Sequence, residues 1–141
     1  MTGVQTCALP IWQSVGEALL APTRIYVRPV LALLRAGVPV HAMAHITGGG
    51  LTGNLPRVLP AGCRAVVRRG AWPVPPVFRF LQGAGRVAER EMFRVFNMGV
   101  GFVCVVPREA ASRARARLET EQVPTWEIGE IARGARGVTY A

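Results

Sequence analysis

Three consecutive glycines, Gly48 to Gly50, separate a short apolar run from a segment with helical spacing. Residues 38–44 have the apolar character of a buried strand, and residues 51–59 have the spacing of a short helix. Glycines let the backbone approach an anion closely, and free N–H groups at a helix start point toward it. This order favours a phosphate-binding loop, although a tight turn that needs positive φ angles gives the same pattern. The run is neither a Walker loop nor a GxGxxG fingerprint.

The remaining pattern predicts an α+β domain with a mixed sheet and helices packed on it. Strand 102–106 is predicted to be central in that sheet. Gly83 and Gly85 are predicted to stop the helix that begins at residue 75. Strands 125–131 and 138–140 are expected to close the fold as a pair joined by a glycine-rich turn. The other predicted elements are helices 27–34, 87–96 and 108–121 and strand 64–68.

The chain is strongly basic, with a formal net charge of +9. Every basic residue other than the two histidines is arginine, and neither lysine nor aspartate occurs, a composition typical of a GC-rich genome. A basic chain can attract nucleic acid, a membrane surface or phosphorylated metabolites. Its one local arginine cluster falls in predicted helix 108–121 beside glutamates, which favours a solvated, internally paired helix face over a nucleic-acid site.

Cysteines, histidines and apolar runs give no sign of a metal site or a membrane span. Cys63 and Cys104 are isolated and are expected to be buried, reduced thiols, whereas Cys7 lies in a segment treated separately below. His41 and His45 can share one side of a strand, but no third ligand lies nearby in sequence. No apolar run reaches the roughly 18 residues of a membrane span, and no secretory signal is seen. We therefore expect a cytoplasmic protein.

Four blocks in order along the chain resemble the C-terminal domain of the phosphoribosylformylglycinamidine cyclo-ligase family, also called aminoimidazole ribonucleotide synthetases. The glycine block reads AHITGGGL at residues 44–51 and continues as NLPRVLP at 54–60. LAPTRIYV at 20–27 resembles the family's approach to its first helix, and residues 72–85 resemble its middle region. EMFRVFNMGVG at 91–101 resembles its second signature, in which tyrosine is commoner than Phe93.

The resemblance implies a domain organisation. The family's C-terminal domain is a layered α/β/α arrangement with partial likeness to the ferredoxin-like fold, and residues 12–141 are expected to form it. The family's N-terminal ATP-binding and dimerisation domain is missing here. Residues 1–11 resemble the translation of a sequencing adapter and are interpreted as non-native, the alternative being an ordinary N-terminus.

The resemblance also implies an activity. The family is an ATP-dependent ligase of purine biosynthesis that cyclises formylglycinamidine ribonucleotide to 5-aminoimidazole ribonucleotide, releasing ADP and phosphate. The expected partners are this substrate, ATP, the N-terminal domain and a second subunit of a homodimer; no nucleic acid and no membrane are expected. ATP and Mg²⁺ are expected to be bound mainly by the missing half, because this chain has no aspartate for the metal and no lysine for nucleotide phosphates. The chain by itself is expected to be inactive.

Several residues are candidates for the site, and none of them is predicted to bind a metal. His45 and Asn97 are the candidate catalytic residues, His45 as a hydrogen-bond donor and Asn97 as a group that orients the substrate. His45 has an equally good interpretation as a structural residue at a strand end, and Asn54 and Asn97 as a cap or turn residue. Arg57 and Arg94 can meet phosphate, but pairing with Glu91 is equally available. The candidate substrate- and phosphate-binding residues are Thr47, Gly48, Gly49, Gly50, Asn54, Arg57 and Arg94.

Two other functions are weighed against this one. A sibling enzyme of the same ATP-binding superfamily shares the two-domain plan but is not expected to carry the full 44–60 block. A small basic nucleic-acid-binding module would need a coherent arginine stripe with interleaved aromatic residues, and Trp72, Phe78 and Phe80 are not placed in that way.

Overall fold

The computed structural model describes residues 14–141, so the segment interpreted as non-native lies outside the described residues. The described elements are six α-helices and five short strands. The helices are α1 (Val15–Leu19), α2 (Val27–Arg35), α3 (Gly50–Asn54), α4 (Pro76–Gly85), α5 (Glu89–Val95) and α6 (Ala111–Thr120), and the strands are β1 (Ala42–His45), β2 (Cys63–Val67), β3 (Phe102–Val105), β4 (Gly129–Arg133) and β5 (Gly137–Tyr140). Short 3₁₀ helices lie at Leu55–Arg57 and Arg108–Ala110. The α+β class is confirmed.

The strands form two small sheets. β1 pairs with β3 antiparallel. The second sheet has the order β4-β2-β5, with β4 antiparallel and β5 parallel to β2, so it is mixed as predicted. The prediction of a central strand at 102–106 is wrong, because within residues 14–141 β3 pairs only with β1.

The last two strands do not pair with each other, which corrects the predicted hairpin. Residues 134–136 cross over the start of β2, where the N–H of Gly134 donates to the carbonyl of Gly62 at 2.9 Å. β4 and β5 therefore lie on opposite edges of β2. A hairpin would pair only one of them with β2, whereas the crossover pairs both with it, so that the ladder groups on both edges of β2 are used.

Prolines and glycines act on the helices in different ways. Pro56 follows the end of α3, and the chain continues as a 3₁₀ turn, which confirms the predicted disturbance of helix 51–59. Gly83 does not stop α4, because the helix continues to Gly85, where it ends with Arg86 as a left-handed C-cap (φ 47°). A glycine costs a helix about 1 kcal/mol relative to alanine, but Phe78 and Leu81 of α4 pack on the core and stabilise the helix.

The β1–β3 sheet has a hydrophobic cluster on each face. Ala44 belongs to the larger cluster, against which Val103 packs. The smaller cluster lies between α2 and α6, and Cys104 packs against it. Cys104 and Cys63 are partly buried and free, and burial raises the pKa of the Cys104 thiol to about 11, so it is protonated at neutral pH. None of the helices within residues 14–141 is long and apolar enough to cross a membrane.

Candidate functional site

Antiparallel pairing of β1 with β3 brings the two glycine-containing turns of the sequence to the same end of one sheet. His45, the last residue of β1, lies opposite Phe102, the first residue of β3. One residue further, the N–H of Ile46 donates to the carbonyl of Gly101 at 2.8 Å. Residues 46–50, the first glycine turn, therefore leave the sheet beside residues 97–101, the second glycine turn. The structure thus brings His45, the glycine run and Asn97 into one region, as the candidate site requires.

The first glycine turn has an inner and an outer half. In the inner half, the N–H of Gly49 donates to the carbonyl of Val95 at 3.1 Å, and that of Gly50 donates to the carbonyl of Thr47 at 3.0 Å. In the outer half, Thr47 and Gly48 are exposed, and no residue between 14 and 141 accepts from their N–H groups. Among residues 47–50, only the outer pair, Thr47 and Gly48, thus presents unused backbone donors.

Gly50 is required for packing. It has φ 56°, and a Cβ there would overlap the backbone carbonyls of Phe93 and Phe96. Its α3 segment thereby lies directly against the end of α5. Thr52 strengthens the same contact, because its hydroxyl donates to the carbonyl of Phe93 at 3.3 Å and lies 2.9 Å from the Tyr140 hydroxyl. Burial raises the pKa of Tyr140, although its hydrogen bond with Thr52 opposes the shift.

Asn54 holds the turn from inside. It is 5 % exposed, and its Nδ2 donates to the carbonyl oxygens of Gly50 at 2.8 Å, Gly48 at 3.2 Å and, weakly, Thr47 at 3.5 Å. Because the Asn54 side chain lies inside the protein, these hydrogen bonds hold the carbonyl groups of the turn facing inward. Asn54 therefore positions the glycine turn, and its predicted contact with a substrate stays a prediction.

Asn97 is engaged in the second glycine turn. Its Oδ1 accepts from the N–H of Gly99 at 3.0 Å, and its backbone carbonyl accepts from Val100 at 3.0 Å. This is an Asx turn, the structural interpretation that the sequence left open. The next residue, Met98, has φ 52°, and its carbonyl accepts from the Trp72 indole at 2.9 Å. The Nδ2 of Asn97 donates to no residue between 14 and 141, so the predicted orienting role stays open to that atom.

The two candidate arginines differ. Arg94 makes a two-pronged ion pair with Glu91, with Nε and Oε2 2.7 Å apart, and the pair lowers the pKa of Glu91 and raises that of Arg94. Of the two alternatives for Arg94, pairing with Glu91 is the one that the structure contains. Arg57 is exposed at the end of its 3₁₀ helix. A phosphate-binding role for either residue stays a prediction.

His45 lies in an aromatic cluster that the sequence did not predict. The Tyr26 ring stands edge-on to the imidazole with a centroid distance of 5.8 Å, and it lies 5.2 Å from the Phe102 ring. The Tyr26 side chain reaches this place because position 101 is glycine, where a Cβ would overlap the Tyr26 hydroxyl. Residues 26 and 102 are 76 positions apart, so sequence spacing could not predict this cluster. The one signal in the sequence was that Tyr26 lies in the family-like block at residues 20–27.

Most of the charged residues of the chain are arginines. Within residues 14–141 there is no group of three or more histidine, cysteine, aspartate or glutamate side chains that could hold a metal. The α6 arginines pair largely with glutamates, as Arg115 does with Glu119 at 3.3 Å and Arg117 with Glu121 at 2.8 Å. The internally paired helix face is thus confirmed for these two arginines, and the nucleic-acid interpretation gains no support from them.

The fold and this region together define a class of protein: an α+β domain in which a strand leads through an exposed glycine turn into a short helix. The chain belongs to the AIR synthase related protein family, because residues 5–141 match the model of that family's C-terminal domain. The resemblance seen in the four sequence blocks is thereby confirmed.

The curated relatives agree with the family match. The chain is 54% identical to the phosphoribosylformylglycinamidine cyclo-ligase of Cupriavidus pinatubonensis over 125 residues, which are 89% of this chain and 35% of the relative. It is 47% identical to the enzyme of the same name from Bacillus subtilis over 131 residues, 93% of this chain and 37% of that relative. The chain thus spans about a third of the length of these relatives.

Proposed function

We propose that this chain is the C-terminal domain of a phosphoribosylformylglycinamidine cyclo-ligase, which converts formylglycinamidine ribonucleotide to 5-aminoimidazole ribonucleotide. The observation that carries the proposal is the family match over residues 5–141, together with relatives of that name at 47–54% identity. The length of those relatives supports a preceding domain. We assign residues 12–141 to the C-terminal domain, with the family's layered, partly ferredoxin-like arrangement, and place the enzyme in the cytoplasm as a homodimer.

The proposed reaction requires three things of the protein. ATP transfers its γ-phosphoryl group to the formyl oxygen and leaves as ADP; an amidine nitrogen then attacks the formyl carbon, and phosphate leaves as the ring closes. The substrate's 5′-phosphate must be held, the reacting nitrogen and carbon must be brought together, and charge on the activated oxygen must be stabilised.

This domain can meet the first requirement with the outer half of the first glycine turn. The exposed N–H groups of Thr47 and Gly48 and the Thr47 hydroxyl offer three donors, a number that suits a phosphate group. Gly49 and Gly50 contribute by fixing the turn through their own hydrogen bonds. Arg57 and Arg94 would add positive charge to the surroundings.

His45 and Asn97 are assigned to the reacting groups. His45 is exposed at the end of β1, two residues before Thr47, and the intervening Ile46 is 2 % exposed. Because side chains alternate along an extended chain, His45 and Thr47 face the same side. His45 is assigned as a hydrogen-bond donor to the activated oxygen, and the Nδ2 of Asn97 as a donor that orients the substrate.

The residues of this domain do not fit a Mg²⁺ site of their own. Magnesium prefers carboxylates and water in octahedral geometry, the chain has no aspartate, and the described residues hold no carboxylate cluster. We therefore assign Mg²⁺ and most contacts to ATP to the preceding domain. It follows that the chain alone is inactive.

The test is a chimera in which residues 12–141 replace the matching segment of the Cupriavidus pinatubonensis enzyme. We expect the chimera to form 5-aminoimidazole ribonucleotide from formylglycinamidine ribonucleotide and ATP, and the isolated 141-residue chain to form none. The truncated relative without its C-terminal segment is the matched control. A folded chimera that binds ATP but does not turn over would contradict the proposed function.

A further inference from the structure

We propose that Tyr26, His45 and Phe102, here called the aromatic shelf, bind the planar cationic amidinium of a ligand whose phosphate lies on Thr47 and Gly48. The proposal rests on the function proposed above and deepens it, because it assigns the glycine turn to the phosphate of the amidine substrate rather than to a phosphate of ATP. Tyr26 and Phe102 become substrate-contacting residues.

The shelf is continuous with the exposed half of the glycine turn. His45 and Phe102 are a cross-strand pair, with ring centroids 6.3 Å apart, and Tyr26 packs on both. His45 is exposed, and the other two rings are half-buried, so each keeps some surface accessible. Two residues of extended chain separate His45 from Thr47 by about 6–7 Å, since a strand rises about 3.3 Å per residue. That separation is comparable to the length of a ribose phosphate.

The chemistry of the shelf suits a delocalised cation. Aromatic faces attract guanidinium-like and amidinium-like groups, with a strength of about 0.5–1 kcal/mol at exposed sites and more when water is excluded. The chain has 17 arginines, yet within residues 14–141 the cation–π contacts involve only Arg69, over Phe93 and Tyr140. The shelf rings are therefore not occupied by a cation of the described chain.

Gly101 preserves the shelf. Because a Cβ there would overlap the Tyr26 hydroxyl, any larger residue would displace the Tyr26 ring from its place beside His45. This gives a second way to disturb the shelf without removing an aromatic ring.

The test measures dissociation constants of the 141-residue chain for three probes: formylglycinamidine ribonucleotide, AMP and ribose 5-phosphate. The first combines a phosphate with an amidinium, the second combines it with a neutral aromatic base, and the third has the phosphate alone. We expect Tyr26→Leu to weaken binding of formylglycinamidine ribonucleotide by about three- to tenfold and to leave ribose 5-phosphate unchanged. Gly101→Ala should act in the same direction.

Two matched variants separate ring chemistry from general damage. Tyr26→Phe keeps the ring and should stay within about twofold of the parent chain. Trp126→Leu removes an exposed aromatic residue outside the shelf and should change none of the three affinities. Thermal unfolding midpoints of all variants show whether each one is folded.

The outcomes distinguish this inference from the proposed function. If the parent chain binds formylglycinamidine ribonucleotide and Tyr26→Leu weakens all three probes equally, or none, the shelf assignment is wrong and the phosphate assignment stands. If Tyr26→Leu weakens binding of AMP and of formylglycinamidine ribonucleotide equally and leaves the affinity for ribose 5-phosphate unchanged, the shelf binds a flat base and not specifically an amidinium. If the parent chain binds none of the probes, the shelf and phosphate assignments both fail, whereas the proposed function is judged separately by turnover of the chimera.

Discussion

The two glycine turns lie side by side at one end of the β1–β3 sheet, but they use their backbone groups differently. In the second turn, the N–H groups of Gly99 and Val100 both donate to Asn97, and the Met98 carbonyl accepts from Trp72. In the first turn, only the inner half is closed in this way, and the N–H groups of Thr47 and Gly48 have no acceptor among residues 14–141. The second turn is thus structural, and the first is structural on one side and open on the other.

A glycine therefore does not by itself indicate a binding loop. Gly50 and Gly99 both have positive φ, and a Cβ at either would overlap neighbouring atoms, those of Phe93 and Phe96 or those of Pro75. Gly48 has no atom within 4 Å of the place where a Cβ would be. Packing therefore explains Gly50 and Gly99, whereas Gly48 has a backbone that packing leaves accessible.

The largest effect is expected from Gly50→Ala. The substitution combines a left-handed φ with overlap of two backbone carbonyls, so the free energy of unfolding should fall by about 3–5 kcal/mol. Chemical denaturation of the two proteins measures it. Gly48→Ala is the control and should leave stability unchanged or raise it by up to about 1 kcal/mol. Equal losses in both variants would show that the two halves of the turn do not differ.

Asn54→Ala should have the next largest effect. It removes the buried amide that donates to Gly50, Gly48 and Thr47, and loss of these hydrogen bonds should lower the free energy of unfolding by about 1–3 kcal/mol. Hydrogen exchange of the backbone amides of residues 49–53 should accelerate in the same variant. An unchanged exchange rate would mean that Asn54 does not hold the turn.

Asn97→Ala tests the second turn and should have a smaller effect. Loss of the single Oδ1 bond to the Gly99 N–H is expected to lower the free energy of unfolding by about 1 kcal/mol. Asn97→Asp is the matched variant, since a carboxylate can accept the same bond. If both variants are as stable as the parent chain, the turn does not need the Asn97 side chain. Loss of turnover when the same substitutions are made in the chimera would then support the catalytic role of Asn97.

Thr47→Val should have almost no effect on stability, because its hydroxyl is exposed and bonds to no residue between 14 and 141. Affinity for ribose 5-phosphate should fall about fivefold, as expected when one neutral hydrogen bond of about 1 kcal/mol is lost. Thr47→Ser keeps the donor and should restore binding. If Thr47→Val binds ribose 5-phosphate as tightly as the parent chain, the hydroxyl does not contact the phosphate, and only the backbone donors remain as candidates.

Much of the fold could be predicted because its signals are local. The helix 27–34 and the helix break at Pro56 depend on apolar spacing and on proline geometry, and both are confirmed. The late start of β1 at Ala42, rather than at Val38, was not predicted. Val38 packs in the smaller core, and Pro39 has no N–H for a strand ladder.

The sequence predicted the candidate site as a list of residues but not as an arrangement. The ordered blocks placed His45, the glycines and Asn97 in one family pattern; the family match confirms the family, and the roles of these residues stay predictions. Sequence spacing could not reveal that Asn54 donates into the turn, nor could it decide that Arg94 pairs with Glu91. It also gave no role to Tyr26, whose neighbours come from β1 and β3.

The family, the α+β class and the positions of the glycine turns follow from the sequence alone, since these depend on residue identity and short-range spacing. The folded structure was needed to show that β4 and β5 lie on opposite sides of β2, and which N–H groups of the first turn are used internally. The physical reason is that a backbone N–H is the same in every residue except proline. Whether it is available to a ligand depends on carbonyls such as that of Val95, which lie far away in sequence and reach the turn only when the chain folds.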